Sequence, residues 1–404
     1  MNTTVDLRKK NTLITLKAIL DNGSITKVDV AAKIGLTLMT VNTIMNNLLK
    51  KNIITDCGIA DSNSGRKATL YALNPSFHHI IGINIGVGAV TIGISDLNLK
   101  PKEILALEVN NSNSPEETID IILKFVLELI KNHKIKTENV LGIGITVPGP
   151  VNETSGVIHS LPNLKGWDDV TLKDIFEKNL GIPVFVEKDN YASALYLKKK
   201  LGSADKNVVS LTIKGGIGTG ILLKGSLYRG ENGIAGEIGH VSIDVDGPRC
   251  NCGNFGCLEV YASDFAIVKD VKKSIKNGEK SSVLSKYDYN IDNLDINRII
   301  KAAADGDGLC LDTVFKAARY IGIAVSNALK FYDPGYFIIN SRWIKEIDGV
   351  DRVITDIVKE KCTLIQRDRI NLVFIYEEDA YLKGALMLVG EYVLENTVNN
   401  RLIG

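Results

Sequence analysis

Residues 233–263 read GIAGEIGHVSIDVDGPRCNCGNFGCLEVYAS. Inside this stretch His240, Cys250, Cys252 and Cys257 follow the spacing H-x9-C-x-C-x4-C. One imidazole and three thiolates are a complete tetrahedral ligand set for zinc. The intervening glycines permit the tight reversals needed to bring three sulfurs within about 2.3 Å of one ion. Four protein ligands leave no open position, so the expected zinc is structural and not a water activator. Cys57, Cys310 and Cys362 lack such company and read as ordinary core thiols.

Working outward, the chain from Pro75 to Gly404 begins with glycine-punctuated strands and then alternates helical and strand patterns, as in an α/β fold. Helices are expected over Pro115–Asn132, Leu172–Asn179 and Asn190–Leu201. Strands are expected over Val140–Thr146, Val184–Glu187, Val208–Ile213 and Tyr336–Ile339. The run Ile80–Ile94, IIGINIGVGAVTIGI, is too short and too glycine-rich to span a bilayer and reads as two buried strands around a tight turn. Glycine-rich turns near 86–88 and 215–220 each follow a strand. No short solenoid repeat is visible.

Residues 1–74 have a different character. Residues 1–77 carry ten Lys/Arg against five Asp/Glu, so a basic head sits on a mildly acidic remainder. Leu13, Leu16, Ile19 and Leu20 mark a first helix; Gly23 and Ser24 then break and cap. A second runs from Lys27 to Ile34. Gly35 then turns the chain, and Thr37 caps a third helix reaching Lys50. Val41, Ile44, Met45 and Leu48 form its apolar stripe, with Met39, Thr43, Asn46 and Lys50 opposite. A hairpin follows, Arg66 and Lys67 beside its tip, which makes the module a winged helix-turn-helix. Thr37, Met39, Thr40, Asn42 and Thr43 are candidates for base edges in double-stranded DNA, and Arg66 and Lys67 for phosphate or the minor groove. The bland alternative is a small helical domain used for protein contacts.

The stretch 233–263 resembles the ROK family of bacterial repressors, open reading frames and sugar kinases. Further matches lie at Val147-Pro-Gly-Pro150, Leu161–Trp167 and Val186–Ser193. With the head attached, the likeness is to the transcription-factor branch, the xylose-repressor and N-acetylglucosamine-repressor type. It implies a multi-domain protein with an actin/hexokinase-like α/β body of two lobes and a sugar between them. The expected first lobe spans about 80–200 plus a C-terminal helix at 385–404, and the second about 201–384. The resemblance places Asp189, Glu237, His240 and Glu259 on the sugar, with Asn163 and Gly149 as weaker contacts. Carboxylates suit that task because they accept hydrogen bonds from vicinal hydroxyls. Family kinases carry Asn where this chain has Lys188.

The same resemblance sets the chain apart from those kinases. They read D-x-G-G-T at the first turn, against Asn84-Ile-Gly86-Val87-Gly88 here. Asn84 removes a carboxylate that would serve the metal, Val87 puts a branched side chain where phosphate must approach, and Gly88 removes a hydroxyl. At the second turn Lys214 and Thr219 depart from G-T-G-I-G-G-G, and a later Gly-Gly is Asn340-Ser341. A sugar-responsive regulator without catalysis is therefore expected; the alternative is a kinase with a fused DNA-binding head, and control by a protein partner stays open. A single head contacts few base pairs, so a homodimer or homotetramer is expected. The N-terminus lacks an apolar signal core, which points to a cytoplasmic protein with no membrane segment.

Overall fold

The computed structural model describes residues 4–400 apart from 61–67, 76–78, 97–98, 111–112, 160, 162–163, 165, 203–205, 288–289, 368 and 370. The chain divides into two compact units, Met1–Ala192 with Tyr381–Gly404, and Ser193–Ala380. It leaves the first unit within one helix and re-enters it at the start of another.

The head opens the first unit: α1 (Thr4–Asn22), β1 (Ile25–Thr26), α2 (Lys27–Ile34), α3 (Leu38–Lys50), β2 (Ile54–Ile59) and β3 (Thr69–Leu73). Gly23 breaks the chain after α1 in a left-handed conformation. The cap of α2 is Thr26 and not Ser24, because the Thr26 hydroxyl accepts from Asp29 N at 3.1 Å. Gly35, at φ 70°, ends α2, and Thr37 caps α3 by accepting from Thr40 N at 3.2 Å. The expected stripe of Val41, Ile44, Met45 and Leu48 is buried. The antiparallel order β1-β3-β2 forms the wing; Arg66 and Lys67 lie outside the described residues. Cys57, expected in the core, is exposed on β2, whereas Cys310 and Cys362 are buried.

The rest of the first unit comprises β4 (His79–Ile85), β5 (Ala89–Asp96), β6 (Pro101–Glu108), α4 (Pro115–Asn132), β7 (Val140–Val147), the short strands β8 (Val151–Asn152), β9 (Val157–Ile158) and β10 (Val170–Thr171), α5 (Leu172–Leu180), β11 (Val184–Lys188) and the start of α6 (Asp189–Lys200). Its main sheet has the order β11-β7-β4-β5-β6. The second unit contains β12 (Val208–Lys214), β13 (Gly216–Leu223), β14 (Ser226–Leu227), α7 (Glu259–Ala262), α8 (Asp264–Lys276), α9 (Val283–Tyr287), α10 (Ile296–Ala304), α11 (Gly308–Tyr332), β15 (Tyr336–Ser341), α12 (Arg342–Glu346), α13 (Val350–Lys361), α14 (Leu364–Arg367) and β16 (Leu372–Ile375). Its sheet has the order β14-β13-β12-β15-β16. Helix α15 (Ala380–Asn400) returns the chain to the first unit.

The two sheets share one topology. In each, three strands form an antiparallel meander, and two more are added parallel to its first strand. Open α/β sheets bind ligands beyond the carboxyl ends of their parallel strands. In the first sheet those ends deliver Asn84, Gly149 and Asp189; in the second they deliver Lys214, Asn340 and Glu377. Both glycine turns are the same feature in two copies, the hairpin after the first strand.

Helix α15 packs onto the first sheet at unusually short range. A Cβ on Gly144 would lie 1.9 Å from the Ala385 carbonyl oxygen, and one on Gly82 or Gly142 would meet Leu386 or Val389 at 2.9 Å. The glycine punctuation of β4 and β7 therefore marks where a helix backbone lies on the sheet. We expect Gly144→Ala to destabilise the fold by about 3 kcal/mol, the upper end for overpacking because a backbone carbonyl must move. Gly308→Ala, at an open helix start with nothing within 4 Å, should be neutral in the same chemical denaturation experiment.

Candidate functional site

The metal-ligand cluster is assembled by a loop with little regular structure between β14 and α7. Cys250 N donates to Asn254 O at 2.8 Å, Gly253 N to Cys250 O at 3.0 Å, and Ile243 N to Gly256 O at 2.8 Å. Gly256, at φ 63°, is required there, since a Cβ would fall 1.6 Å from Asp244 O. Tyr261 anchors the loop by donating to Asp244 Oδ2 at 2.8 Å while stacking on Tyr320, ring centroids 4.5 Å apart.

The result brings His240, Cys250, Cys252 and Cys257 together, with one ligand atom from each inside a group no more than 4.8 Å across. Cys252 and Cys257 sulfurs are 3.7 Å apart, as are the Cys250 sulfur and His240 Nδ1. A tetrahedron with bonds of about 2.3 Å has edges of about 3.8 Å, so the donor set fits a four-coordinate ion. Burial and the neighbouring cysteines push the Cys257 thiol up to about 12. A divalent cation reverses that, because coordination deprotonates thiols. These four side chains can hold a metal ion.

Other expected residues surround this cluster within the second unit. Glu237 ends where the short helical turn of Ile238–His240 begins, and its Oε2 lies 3.9 Å from His240 Nε2. The Nδ1 edge of that ring faces the sulfurs and the Nε2 edge faces the carboxylate. Gly239 packs against the second glycine turn so closely that a Cβ would sit 2.3 Å from Ile217 O. Glu259 Oε2 accepts from Ile217 N at 3.0 Å. One of its oxygens is thus committed to that turn, a partner absent from any local sequence pattern. Asp264, not singled out by sequence, accepts from Gly215 N at 2.9 Å through Oδ2. Lys214 Nζ donates to Glu378 O at 3.0 Å.

In the first unit Asp189 begins α6 and is buried, its Oδ1 accepting from Asn190 N at 2.6 Å and Asn190 Nδ2 at 2.8 Å. Lys188 is buried beside it, with its ammonium 5.2 Å from the centroid of the Tyr191 ring. Asn84 Oδ1 accepts from the Thr146 hydroxyl at 3.0 Å. Gly149 is buried in the bend after β7. Asn163 lies outside the described residues.

On α3, Met39 is 82% exposed and Thr43 is exposed, while Thr40 and Asn42 are half-buried. Thr37 and Thr40 hydroxyls bond to each other at 2.9 Å, and Thr43 Oγ1 donates to Met39 O, so these hydroxyls keep acceptor capacity for a base edge. Lys27 joins this region: its ammonium donates to Asn46 Oδ1 at 2.7 Å and lies over the Tyr71 ring. The helical period already placed Asn46 on the outward face; nothing local marked Lys27.

A winged helix-turn-helix head precedes an α/β body built from two copies of one sheet topology and carrying a four-ligand metal cluster. That combination defines a DNA-binding regulator built on an actin/hexokinase-like body. The ROK family profile matches residues 80–391 and a winged helix-turn-helix DNA-binding profile matches residues 8–55; the chain belongs to the ROK family. It is 32% identical to the xylose repressor of Caldicellulosiruptor bescii over 342 residues, 83% of this chain and 84% of that protein. Its fold matches the crystal structure of a ROK family transcriptional regulator, a homologue of the E. coli MLC protein, with a TM-score of 0.81, 26% identity, and coverage of 98% and 99% of the two chains. A ROK family glucokinase from Streptomyces griseus, solved with glucose and AMPPNP, matches at TM-score 0.68 and 26% identity over 77% of this chain and 98% of its own. Among the described residues no helix is long and apolar enough to cross a membrane.

Burial pushes the Asp264 carboxyl up to about 6, against the opposing pull of the Gly215 N–H and Lys214. A carboxyl raised in the fold favours folding in its protonated form, and that contribution is lost as pH rises through the folded value. Asp264→Asn, which cannot ionise, should therefore gain stability over the natural protein as pH rises from 4 to 6, with the gap constant above 7. Melting temperature measured against pH checks this.

Proposed function

We propose that this protein is a cytoplasmic transcriptional repressor of carbohydrate-utilisation genes, of the xylose type, which releases its operator when a sugar binds the body. The observation that carries this reading is the union, in one chain, of a DNA-binding head and a ROK body whose first glycine turn lacks the residues of a kinase. Asn84 stands where a metal-serving carboxylate is needed, and its side chain is already engaged by Thr146. Val87 is 39% exposed at the tip of the turn, where phosphate would have to approach. No phosphoryl transfer follows. The repressor among its relatives and the regulator among its structural neighbours support the same choice.

Asp189, Glu237, His240 and Glu259 hold the sugar, with Asn163 and Gly149 beside it. Their chemistry is that of acceptors for vicinal hydroxyls. The ion at His240, Cys250, Cys252 and Cys257 is zinc, which a set of three thiolates and one imidazole favours. It orders the loop that ends in Glu259 and, by fixing one ring nitrogen of His240, dedicates the other to a single partner. Thr37, Met39, Thr40, Asn42 and Thr43 read the major groove, and Arg66 and Lys67 take phosphate or the minor groove. Two heads on a pseudo-palindromic operator require at least a homodimer.

Elemental analysis should find about one zinc per chain, and Cys252→Ser should lose it together with sugar binding. Metal-free protein that still folds and binds sugar would refute the assignment. In a gel-shift titration the cognate sugar should weaken operator binding by roughly 5- to 150-fold, the usual span of allosteric coupling. Replacing Arg66 and Lys67 with Ala should reduce both affinity and its salt dependence, and Glu237→Ala should leave operator binding intact but unresponsive to sugar. Tightening by sugar, or ATP-dependent phosphorylation abolished by Asp189→Asn, would reverse the reading.

A further inference from the structure

Met39 is 82% exposed, more than any other large apolar side chain among the described residues of the head, and Leu38 beside it is also exposed. Both stand in the first turn of α3, directly after the Thr37 cap. The apolar stripe of that helix, Val41, Ile44, Met45 and Leu48, is already buried. The packing of the head therefore makes no use of Met39. A helix start attracts the phosphate backbone, and the first residues of a recognition helix are the ones that reach base edges.

The chemistry of this face narrows what it can read. In the major groove guanine is read by Arg or Lys and cytosine by a carboxylate. Adenine is read by a two-pronged amide, and thymine by apolar contact with its C5-methyl group. From Thr37 to Leu49 the chain has no charged residue, which removes the charged partners of guanine and cytosine. The hydroxyls are partly spent: Thr37 and Thr40 bond to each other at 2.9 Å, and Thr43 gives its hydrogen to Met39 O at 3.0 Å. Asn46 is engaged through Oδ1, which accepts from Lys27 Nζ at 2.7 Å. The first turn of α3 thus presents chiefly the flexible, polarizable thioether chain of Met39, which adapts its shape to an apolar partner.

We infer that Met39 is a specificity-determining residue that packs on the C5-methyl group of thymine, so that each operator half-site carries thymine at the base pair facing the first turn of α3. This rests on the DNA-binding reading above and gives the base chemistry that the head selects. Thymine differs from uracil by that methyl group alone, so the contact can be deleted from the DNA side without disturbing a hydrogen bond.

For the test, the full-length protein selects duplexes from a random-sequence library, and each thymine of the enriched sequence is replaced in turn by deoxyuridine. Gel shifts at one fixed salt concentration should find a thymine in each half-site whose methyl group is worth about fourfold in affinity, the effect of burying one methyl-sized group. Met39→Ala should weaken binding by at least a similar factor, and in that variant the same uracil should have no further effect. Met39→Leu keeps an apolar side chain at this exposed position and should retain both binding and the uracil penalty, which separates a lost contact from a folding defect. An enriched operator in which no thymine responds to uracil overturns the inference. A penalty undiminished in Met39→Ala gives the methyl group to another side chain and overturns the role of Met39. If no sequence is enriched, the DNA-binding reading itself falls, and this inference with it.

Discussion

The contact on which much of the first unit depends is the seat of α15 against β4 and β7. A helix backbone ordinarily stands off a sheet by the depth of the side chains between them. Here Gly82, Gly142 and Gly144 remove those side chains, and the Ala385 carbonyl descends into the space. Glycine in a strand interior costs backbone entropy and leaves nothing to pack. The cost is offset by the burial of Leu382, Ala385, Leu386 and Val389, all at most 1% exposed. This closeness is also why the last helix belongs to the first unit although most of the second precedes it in sequence.

The duplicated topology explains why candidate residues recur at equivalent places. Each sheet ends its first strand in a glycine hairpin and its parallel strands in polar residues. In the first sheet Asn84 lies at the end of the first strand and Asp189 follows the outermost parallel strand; in the second the equivalents are Lys214 and Glu377, with Asn340 on the parallel strand between. Asn340 is bound in both directions to the loop after β16: its Nδ2 donates to Glu377 O and its Oδ1 accepts from Glu377 N. A side-chain amide thus closes a gap between two parallel strand ends that glycines would leave open.

Legibility in the sequence followed the range of the interaction. The metal cluster is written in eighteen consecutive residues, from His240 to Cys257, and the helix-turn-helix in local caps and one apolar stripe, so both could be read directly. Ser24 and Thr26 are both good caps by residue type, and the tertiary pairing of β1 with β3 decides between them. Cys57 is exposed because its strand is an edge of the wing, where composition does not report burial. The two-copy topology was invisible because the halves share strand order and not spacing. The hydrogen bonds from Glu259 and Asp264 to the second turn span 42 and 49 residues, and no periodicity marks such a pairing.

The same packing bears on how a signal reaches DNA. Leu20 of α1 and Leu99 of the β5–β6 turn both pack on Gly390 of α15, at 3.8 and 3.9 Å from where its Cβ would be. Leu99 is buried although its backbone is left-handed, at φ 61°. That conformation costs roughly 1–2 kcal/mol, which burial of a leucine, worth about 1.5–3 kcal/mol, can sustain. Through Gly390, Leu20 thus ties α1 of the head to the same helix that seats on the first sheet.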